Sequence, residues 1–135
     1  PGAALVQIAH NHNVEIVPFV GPSSLMMALM SSGLNGQCFA FSGYIPVKSP
    51  ERKARLQEME ARSARLHESE ILIETPYRND SLFADMLSTL KPATRLCIAA
   101  DITGESQFIR TRSIAQWRKE PLSIGKRPCV FIFLA

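Results

Sequence analysis

Short apolar runs followed at once by polar turns constrain the fold of this chain most strongly. Residues 14–17, 71–73 and 96–100 are rich in the Val, Ile and Leu typical of buried strands, and each leads into a turn. Helical periodicity follows the first two turns, which predicts an α/β fold with a layered sheet. Residues 129–134 are apolar throughout, so this last strand is expected at the centre of the sheet.

The segment 14–24 reads as a strand, a tight turn and the start of a helix over 25–32. In the turn Gly21-Pro22-Ser23-Ser24, the glycine allows close approach and the proline has the φ of a first helical turn. Either serine can accept hydrogen bonds from the free N–H groups of that helix. Such a turn can hold a ligand or be a plain connection, and these residues alone leave both possibilities open.

Apolar spacing also predicts helices over residues 3–11 and 50–67, with Ser49 as the cap of the second. Ser113 is expected to cap a short helix whose Trp117 lies in the core. Alternating residues predict a strand over 37–44, and residues 107–111 are predicted to pair antiparallel with the strand at 96–100.

The cluster Glu74-Thr75-Pro76-Tyr77-Arg78 directly follows the predicted strand at 71–73. A carboxylate, a hydroxyl, a phenol and a guanidinium are gathered at the kind of strand end where α/β folds place ligand groups. The alternative is a proline-initiated turn with a surface salt bridge. Asn79 or Asp80 is expected to cap the helix that comes next.

Basic residues are concentrated at the start of the helix 50–67 and just before it. Between positions 48 and 65 they are Lys48, Arg52, Lys53, Arg55, Arg62 and Arg65. Such a face can contact the phosphates of a nucleic acid. Because Glu51, Glu58 and Glu60 are interspersed, a solvated face with i,i+4 ion pairs is the competing interpretation.

Composition limits the class of protein. The chain has 135 residues, of which 46% are hydrophobic and 20% charged, with a net charge of +3. These values suit one domain or parts of two, and no run approaches the roughly 18 apolar residues of a membrane span. No secretory signal is visible, so a cytoplasmic location is expected. Because the chain starts at Pro1 and ends in an apolar run, a piece of a longer protein is expected.

No catalytic signature with a nucleophile and a base is present. The motifs G-x-S-x-G, H-E-x-x-H and the Walker loop are absent, and no metal site is expected. The three cysteines, Cys38, Cys97 and Cys129, lack metal spacing and are predicted to be buried free thiols. The three histidines are expected on the surface. Polar turns after strands instead suit binding of a small organic molecule and positioning of a second substrate.

Several motifs in fixed order resemble a segment of the tetrapyrrole methylase superfamily. They are Pro1-Gly2, Gly21-Pro22-Ser23-Ser24, Ser32-Gly33-Leu34, Phe39-x-Phe41-x-Gly43-Tyr44-Ile45-Pro46, Glu74-Thr75-Pro76-Tyr77-Arg78 and Ala100-Asp101-Ile102-Thr103-Gly104. The resemblance is nearest to the branch that methylates 2′-oxygens of small-subunit ribosomal RNA. That branch carries F-x-F-x-G-F-x-P, E-[ST]-P-[HY]-R and R-E-L-T-K at the last three places.

The resemblance implies an S-adenosylmethionine-dependent methyltransferase with two α/β domains. Residues 1–33 would be the tail end of a truncated N-terminal domain, and residues 34–135 the C-terminal domain, a mixed sheet with flanking helices. The cofactor would lie between the two domains, so this chain would supply one wall and be inactive alone. A homodimer in the cytoplasm is implied, with ribosomal RNA as the substrate.

The resemblance also assigns roles to individual residues. The cofactor-binding residues it implies are Gly21, Pro22, Ser23, Ser24, Glu74, Thr75, Pro76, Ala100 and Asp101. Lys48, Arg52, Lys53 and Arg78 would face a phosphate-bearing substrate, and Glu74 and Asp101 are the candidate bases. Two alternatives are methylation of a tetrapyrrole, such as a porphyrin or corrin, and a non-catalytic RNA-binding or dimerisation module.

Overall fold

The computed structural model describes residues 2–135, which form five helices and five strands. The helices are α1 (Ala3–Asn11), α2 (Ser24–Ser32), α3 (Ser49–Leu66), α4 (Asn79–Thr89) and α5 (Ile114–Lys119). The strands are β1 (Phe39–Gly43), β2 (Ser69–Ile73), β3 (Arg95–Ala100), β4 (Phe108–Ser113) and β5 (Cys129–Leu134). A single 3₁₀ turn, Pro76–Arg78, joins β2 to α4. The motif at Pro1 lies outside the described residues.

The five strands form one mixed sheet in the order β1-β2-β5-β3-β4. Strands β1 and β2 are parallel, while β5 is antiparallel to both of its neighbours, β2 and β3. The apolar strand β5 is central and buried along its whole length, as predicted. The antiparallel pairing of β3 with β4 is also confirmed. The expected mixed sheet with flanking helices is therefore present.

One face of the sheet is covered by α3, α4 and α5. Leu72, Leu96 and Phe131 point to this side and are fully buried. Trp117 of α5 is in the core, as predicted, and its indole N–H donates to the carbonyl of Leu96 at 2.9 Å. The predicted cap of α5 is confirmed, because Ser113 forms a capping box with Gln116.

The opposite face of the sheet is covered by α2. Ala28 and Leu29 of this helix pack on Ile71, Cys97 and Ile132. Ser23 caps α2 by accepting the N–H of Met26 at 3.4 Å. Gly33, with a φ of 68°, ends the helix in the left-handed conformation that glycine adopts without strain.

The strand predicted over residues 14–17 is wrong. Residues 14–23 have no regular secondary structure, and Val14 and Val17 are 57% and 61% exposed. A strand needs a neighbour to complete its hydrogen-bond ladder, and the described residues place none beside this segment. Helix α1 forms as predicted, but none of its residues is buried.

The predicted caps of α3 and α4 also need correction. Ser49 is the first residue of α3, and its hydroxyl donates to Asp85 at 2.9 Å instead of capping. Asn79 and Asp80 do not cap α4, because their side chains bond to the loop before β5. Asp80 accepts the N–H of Ile124 at 2.7 Å, so these polar groups hold that loop in place.

The cysteines differ in their exposure. Cys97 and Cys129 are buried, as predicted, whereas Cys38 is half-buried, so that part of the prediction is wrong. Burial raises the pKa of the Cys129 thiol to about 12 and also raises the pKa of Cys97, which keeps both protonated and unreactive. No helix among residues 2–135 is long and apolar enough to cross a bilayer, and these residues contain no cluster of metal-binding side chains.

Candidate functional site

The register of the sheet brings two of the predicted site turns to one edge. Strands β2 and β3 both run antiparallel to β5, which lies between them, so their carboxyl ends leave the sheet on the same side. Ile73 and Ala99 both pair with Val130. At about 4.8 Å between neighbouring strands, the two ends lie about 10 Å apart. Glu74 and Asp101 follow directly.

A cavity of about 300 Å³ lies at this edge, on the face of the sheet that carries α2. Its walls come from the start of α2, the ends of β2 and β3 and the start of β5. They are Ser24, Ile73, Glu74, Pro76, Ala99, Asp101, Ile102, Pro128, Cys129 and Val130. The three turns predicted to share a pocket therefore contribute to one cavity.

Four of the nine predicted cofactor residues line this cavity directly: Ser24, Glu74, Pro76 and Asp101. The other five precede or follow these four within three positions in the chain. They are Gly21, Pro22, Ser23, Thr75 and Ala100. The role of all nine in binding stays a prediction.

The apolar floor of the cavity was missed by the sequence analysis. Ala99 and Val130 form this floor, and Ile102 and Pro128 add to its side. The start of β5 carries no polar motif, so its place between the ends of β2 and β3 follows only from the strand order. An apolar floor with polar groups at the rim suits a ring-bearing organic ligand of modest size.

Glu74 is held in a buried ion-pair network. Its side chain is 1% exposed, and one oxygen is 3.3 Å from a guanidinium nitrogen of Arg52. The other oxygen accepts the backbone N–H of Thr75 at 2.7 Å and the Nε–H of Arg78 at 3.0 Å. The carboxylate therefore fixes the turn that follows β2, with opposite charges on both sides.

The prediction that Arg52 faces a phosphate is corrected by its position. Its side chain is 1% exposed and donates to the Pro46 carbonyl at 2.9 Å, to Asp85 at 3.2 Å and to Glu74. The alternation of charges along α3 did not reveal that Arg52 is buried, because its carboxylate partners come from the turn after β2 and from α4. Arg52 therefore joins three segments of the chain inside the protein.

The other predicted substrate residues keep some exposure. Lys48 is exposed, and the Lys53 side chain is 43% exposed although its ammonium lies 3.7 Å from Asp85. The Arg78 side chain is 25% exposed, with its guanidinium 4.7 Å from the centre of the Tyr77 ring. Lys48 and Lys53 lie at the start of α3, which follows β1, and Arg78 lies in the turn after β2, whose Pro76 lines the cavity.

Asp101 shapes the turn after β3. Its φ of 48° is left-handed, and its N–H donates to the Pro128 carbonyl at 2.8 Å. Its carboxylate accepts the N–H and the hydroxyl of Ser106 at 3.1 and 2.6 Å. A Cβ at Gly104 would collide with this carboxylate, which explains glycine at that position. Both candidate bases thus have hydrogen-bonding partners within the chain.

Comparison with known proteins finds sequence relatives that share one name. No protein-family model matches the chain. The chain is 33% identical over 114 residues to ribosomal RNA small subunit methyltransferase I of Mesorhizobium japonicum, covering 84% of this chain and 37% of that protein. It is 37% identical over 103 residues to the protein of the same name from Neisseria meningitidis, covering 76% of this chain and 34% of that protein.

Solved structures agree on the fold. The methyltransferase CobJ superposes with a TM-score of 0.58 at 14% identity, over 98% of this chain and 57% of that one. Uroporphyrin-III C-methyltransferase from Thermus thermophilus, complexed with S-adenosyl homocysteine, superposes with a TM-score of 0.51 at 12% identity, over 98% of this chain and 58% of that one.

The mixed sheet, together with these relatives, places the chain in the tetrapyrrole methylase superfamily. Within it, the relatives from Mesorhizobium japonicum and Neisseria meningitidis carry the name ribosomal RNA small subunit methyltransferase I. The chain spans somewhat over a third of the length of these relatives.

Proposed function

We propose that this chain is the cofactor-binding and substrate-facing part of an S-adenosylmethionine-dependent methyltransferase that acts on small-subunit ribosomal RNA. The observation that carries the proposal is the single cavity shared by the turns at Ser24, Glu74 and Asp101. S-adenosylmethionine would supply the methyl group. The chain's own contribution would be to hold the adenosine against the apolar floor and to exclude water there.

RNA is favoured over a tetrapyrrole by the sequence relatives and by charge. The relatives at 33% and 37% identity are named for ribosomal RNA, whereas the structures named for tetrapyrrole chemistry are similar at only 12–14% identity. Basic side chains with solvent exposure, Lys48 and Lys53, lie between β1 and the first turns of α3 and suit phosphates. A 2′-hydroxyl acceptor would need a base, for which Glu74 and Asp101 are the candidates.

The organisation of the whole protein is part of the same proposal. Residues 1–33 would belong to an N-terminal domain that forms the other wall of the cofactor site, and residues 34–135 to the C-terminal domain. Helix α2 would then lie at the junction, because it packs on the sheet of the second domain. We also propose a cytoplasmic homodimer, as the resemblance implies.

Calorimetry with S-adenosylmethionine on the full-length gene product tests the proposal. Ile102 lines the cavity and is half-buried at the edge of the smaller core, so Ile102→Trp would fill the cavity. We expect one cofactor per chain for the parent and at least a tenfold weaker affinity for this variant. The matched control is Leu66→Trp, which enlarges a 46% exposed aliphatic side chain outside the cavity. Absence of cofactor binding by the parent would favour the non-catalytic module.

Methyl transfer to small-subunit ribosomal RNA is the second arm of this test. Transfer of labelled methyl groups is expected from the full-length gene product, while the 135-residue chain alone is expected to be inactive. Methyl transfer by the 135-residue chain would refute the expectation that it supplies only one wall. Binding of RNA that did not weaken with rising salt would contradict a phosphate-binding surface.

A further inference from the structure

We propose that the loops after β1 and β2 form a surface that binds unpaired RNA nucleotides, with bases stacking on Tyr44 and Tyr77. This inference rests on the proposed function and specifies how its substrate is recognised. We call this the tyrosine surface; it comprises Tyr44, Lys48, Tyr77 and Arg78. Its position beside the cavity would deliver a nucleotide of a single-stranded segment towards the methyl donor.

Two exposed aromatic rings lie at the ends of adjacent strands. Tyr44 is 64% exposed and Tyr77 is 68% exposed, although large aromatic side chains usually bury most of their area. Strands β1 and β2 are parallel and paired, with Gly43 opposite Leu72, so the loops that follow them leave the sheet side by side. Pro76, the neighbour of Tyr77, lines the cavity.

The two loops are tied together by one buried guanidinium. Arg52 donates through Nε to the carbonyl of Pro46, two residues after Tyr44, and through Nη2 to the carboxylate of Glu74, three residues before Tyr77. Because Arg52 is almost wholly buried, water does not compete for these bonds. The loops are thereby fixed before any ligand arrives, which lowers the entropic cost of binding.

Charge on the surface favours nucleic acid as the occupant. The Arg78 guanidinium lies 4.7 Å from the centre of the Tyr77 ring and donates to its hydroxyl at 2.7 Å. Lys48 is exposed in the loop after Tyr44. Aromatic rings with cations beside them match the alternation of bases and phosphates in a single strand, whose π-faces are free to stack. Bases in a duplex are already stacked, so a duplex would meet only the cations.

Fluorescence anisotropy separates stacking from charge. The probes are a labelled single-stranded RNA of about 12 nucleotides without self-complementarity, a length within the usual range of single-strand sites, and a duplex of the same length. We expect Tyr44→Ala and Tyr77→Ala in the full-length gene product to weaken single-strand binding about tenfold each. Tyr44→Phe and Tyr77→Phe should change it less than about twofold, because the ring is kept.

Controls define the outcome that would overturn the proposal. Leu66→Ala removes a 46% exposed side chain from the far end of α3. It should alter neither the affinity for the single strand nor the affinity for the duplex. Lys48→Ala should weaken single-strand and duplex binding alike. The proposal would be overturned if Tyr44→Ala and Tyr77→Ala both kept the single-strand affinity of the parent. It would also be overturned if these variants lost as much affinity for the duplex as for the single strand. Thermal melting of each variant verifies that it is folded.

Calorimetry with S-adenosylhomocysteine on the same variants separates this inference from the proposed function. Cofactor binding by every variant, together with unchanged RNA affinity, would overturn the tyrosine surface alone. No cofactor binding by the parent would overturn the proposed methyltransferase, whatever the RNA measurements give. Retained cofactor binding with tenfold weaker RNA binding in the alanine variants is the result that we expect.

Discussion

The two faces of the sheet differ in how completely they are covered. On the first face, α3, α4 and α5 bury Trp117 and Leu72 fully. The second face is covered by α2 alone, and Phe39 and Phe41 of β1 stay 40% and 48% exposed there. The side chains of Ile73, Ala99 and Val130 point to this second side, because they alternate with residues of the first core.

This difference separates stability from ligand binding. The first face contains the larger apolar core, so most of the stabilising burial occurs there. The cavity opens on the second face, at the point where the cover provided by α2 begins. Substitutions on the first face should therefore lower the free energy of unfolding, and those at the cavity edge should act mainly on binding.

Trp117→Ala should have the largest effect on stability. It removes a fully buried ring, an edge-on contact with Phe83 at 5.6 Å and the hydrogen bond to Leu96. We expect the free energy of unfolding to fall by about 3–5 kcal/mol. Val17→Ala, in the exposed segment, should change it by less than about 0.5 kcal/mol. Urea denaturation followed by circular dichroism measures the unfolding free energy of both variants. Similar losses in Trp117→Ala and Val17→Ala would contradict the difference in stabilising burial between the covered face and the exposed segment.

Arg52→Ala should have the next largest effect. It leaves Glu74 with Arg78 as its remaining cationic partner and also removes the bonds to Pro46 and Asp85. We expect a loss of about 2–4 kcal/mol, since one partner of a buried pair is removed. Arg55→Ala is the matched control on the same helix, because Arg55 forms an ion pair with the exposed Glu58, and it should cost less than about 0.5 kcal/mol. Equal unfolding midpoints for the two variants would refute the bridging role of Arg52.

Glu70 should make the stability of the first face depend on pH. Burial, and secondly the nearby Glu68, raises the pKa of Glu70 from 4.5 to about 7, against the opposing charge of Arg62. The folded state therefore binds more protons than the unfolded chain between these values, so stability falls as pH rises through this window. We expect the parent to lose about 1–2 kcal/mol over this range.

Glu70→Gln tests this assignment. The amide does not titrate, so the variant should show a flatter dependence of unfolding free energy on pH and be more stable than the parent above about pH 7. The exposed Glu58 is the control, and Glu58→Gln should keep the slope of the parent. The assignment would be contradicted if the parent gained stability between pH 5 and pH 7 and Glu70→Gln showed the same dependence on pH. Other titrating groups would then determine how the unfolding free energy changes with pH.

Removal of residues 2–20 should have the smallest effect. None of the residues in α1 is buried, and the segment up to Gly21 forms no part of either core. We expect the free energy of unfolding of the 135-residue chain to change by less than about 1 kcal/mol, and protease to cut within residues 14–20 first. A larger loss would mean that this segment stabilises the sheet through contacts made in solution.

Sequence reasoning succeeded where local patterns decide structure. The apolar run at 129–134 is the central strand, Trp117 is in the core and Ser113 caps α5. It failed at 14–17, because β-branched residues form a strand only when another strand is present to complete the ladder. Local propensity cannot indicate whether that partner exists.

The site was predictable only in part for a similar reason. Polar turns after strands could be recognised along the chain, and the strand order then brought Glu74 and Asp101 to one cavity. The floor formed by Ala99 and Val130 and the burial of Arg52 depend on long-range pairing. Nothing in the charge pattern of α3 distinguishes Arg52 from its exposed neighbour Lys53, because their partners lie in other elements.

Hydrogen exchange with and without S-adenosylhomocysteine tests the central claim most directly. The claim is that the turns around Ser24, Glu74 and Asp101 form one cofactor site. In the full-length gene product, we expect slower exchange in all three turns and in the start of β5 when the ligand is bound. Unchanged exchange in these segments, with protection appearing in other parts of the chain, would contradict the claim.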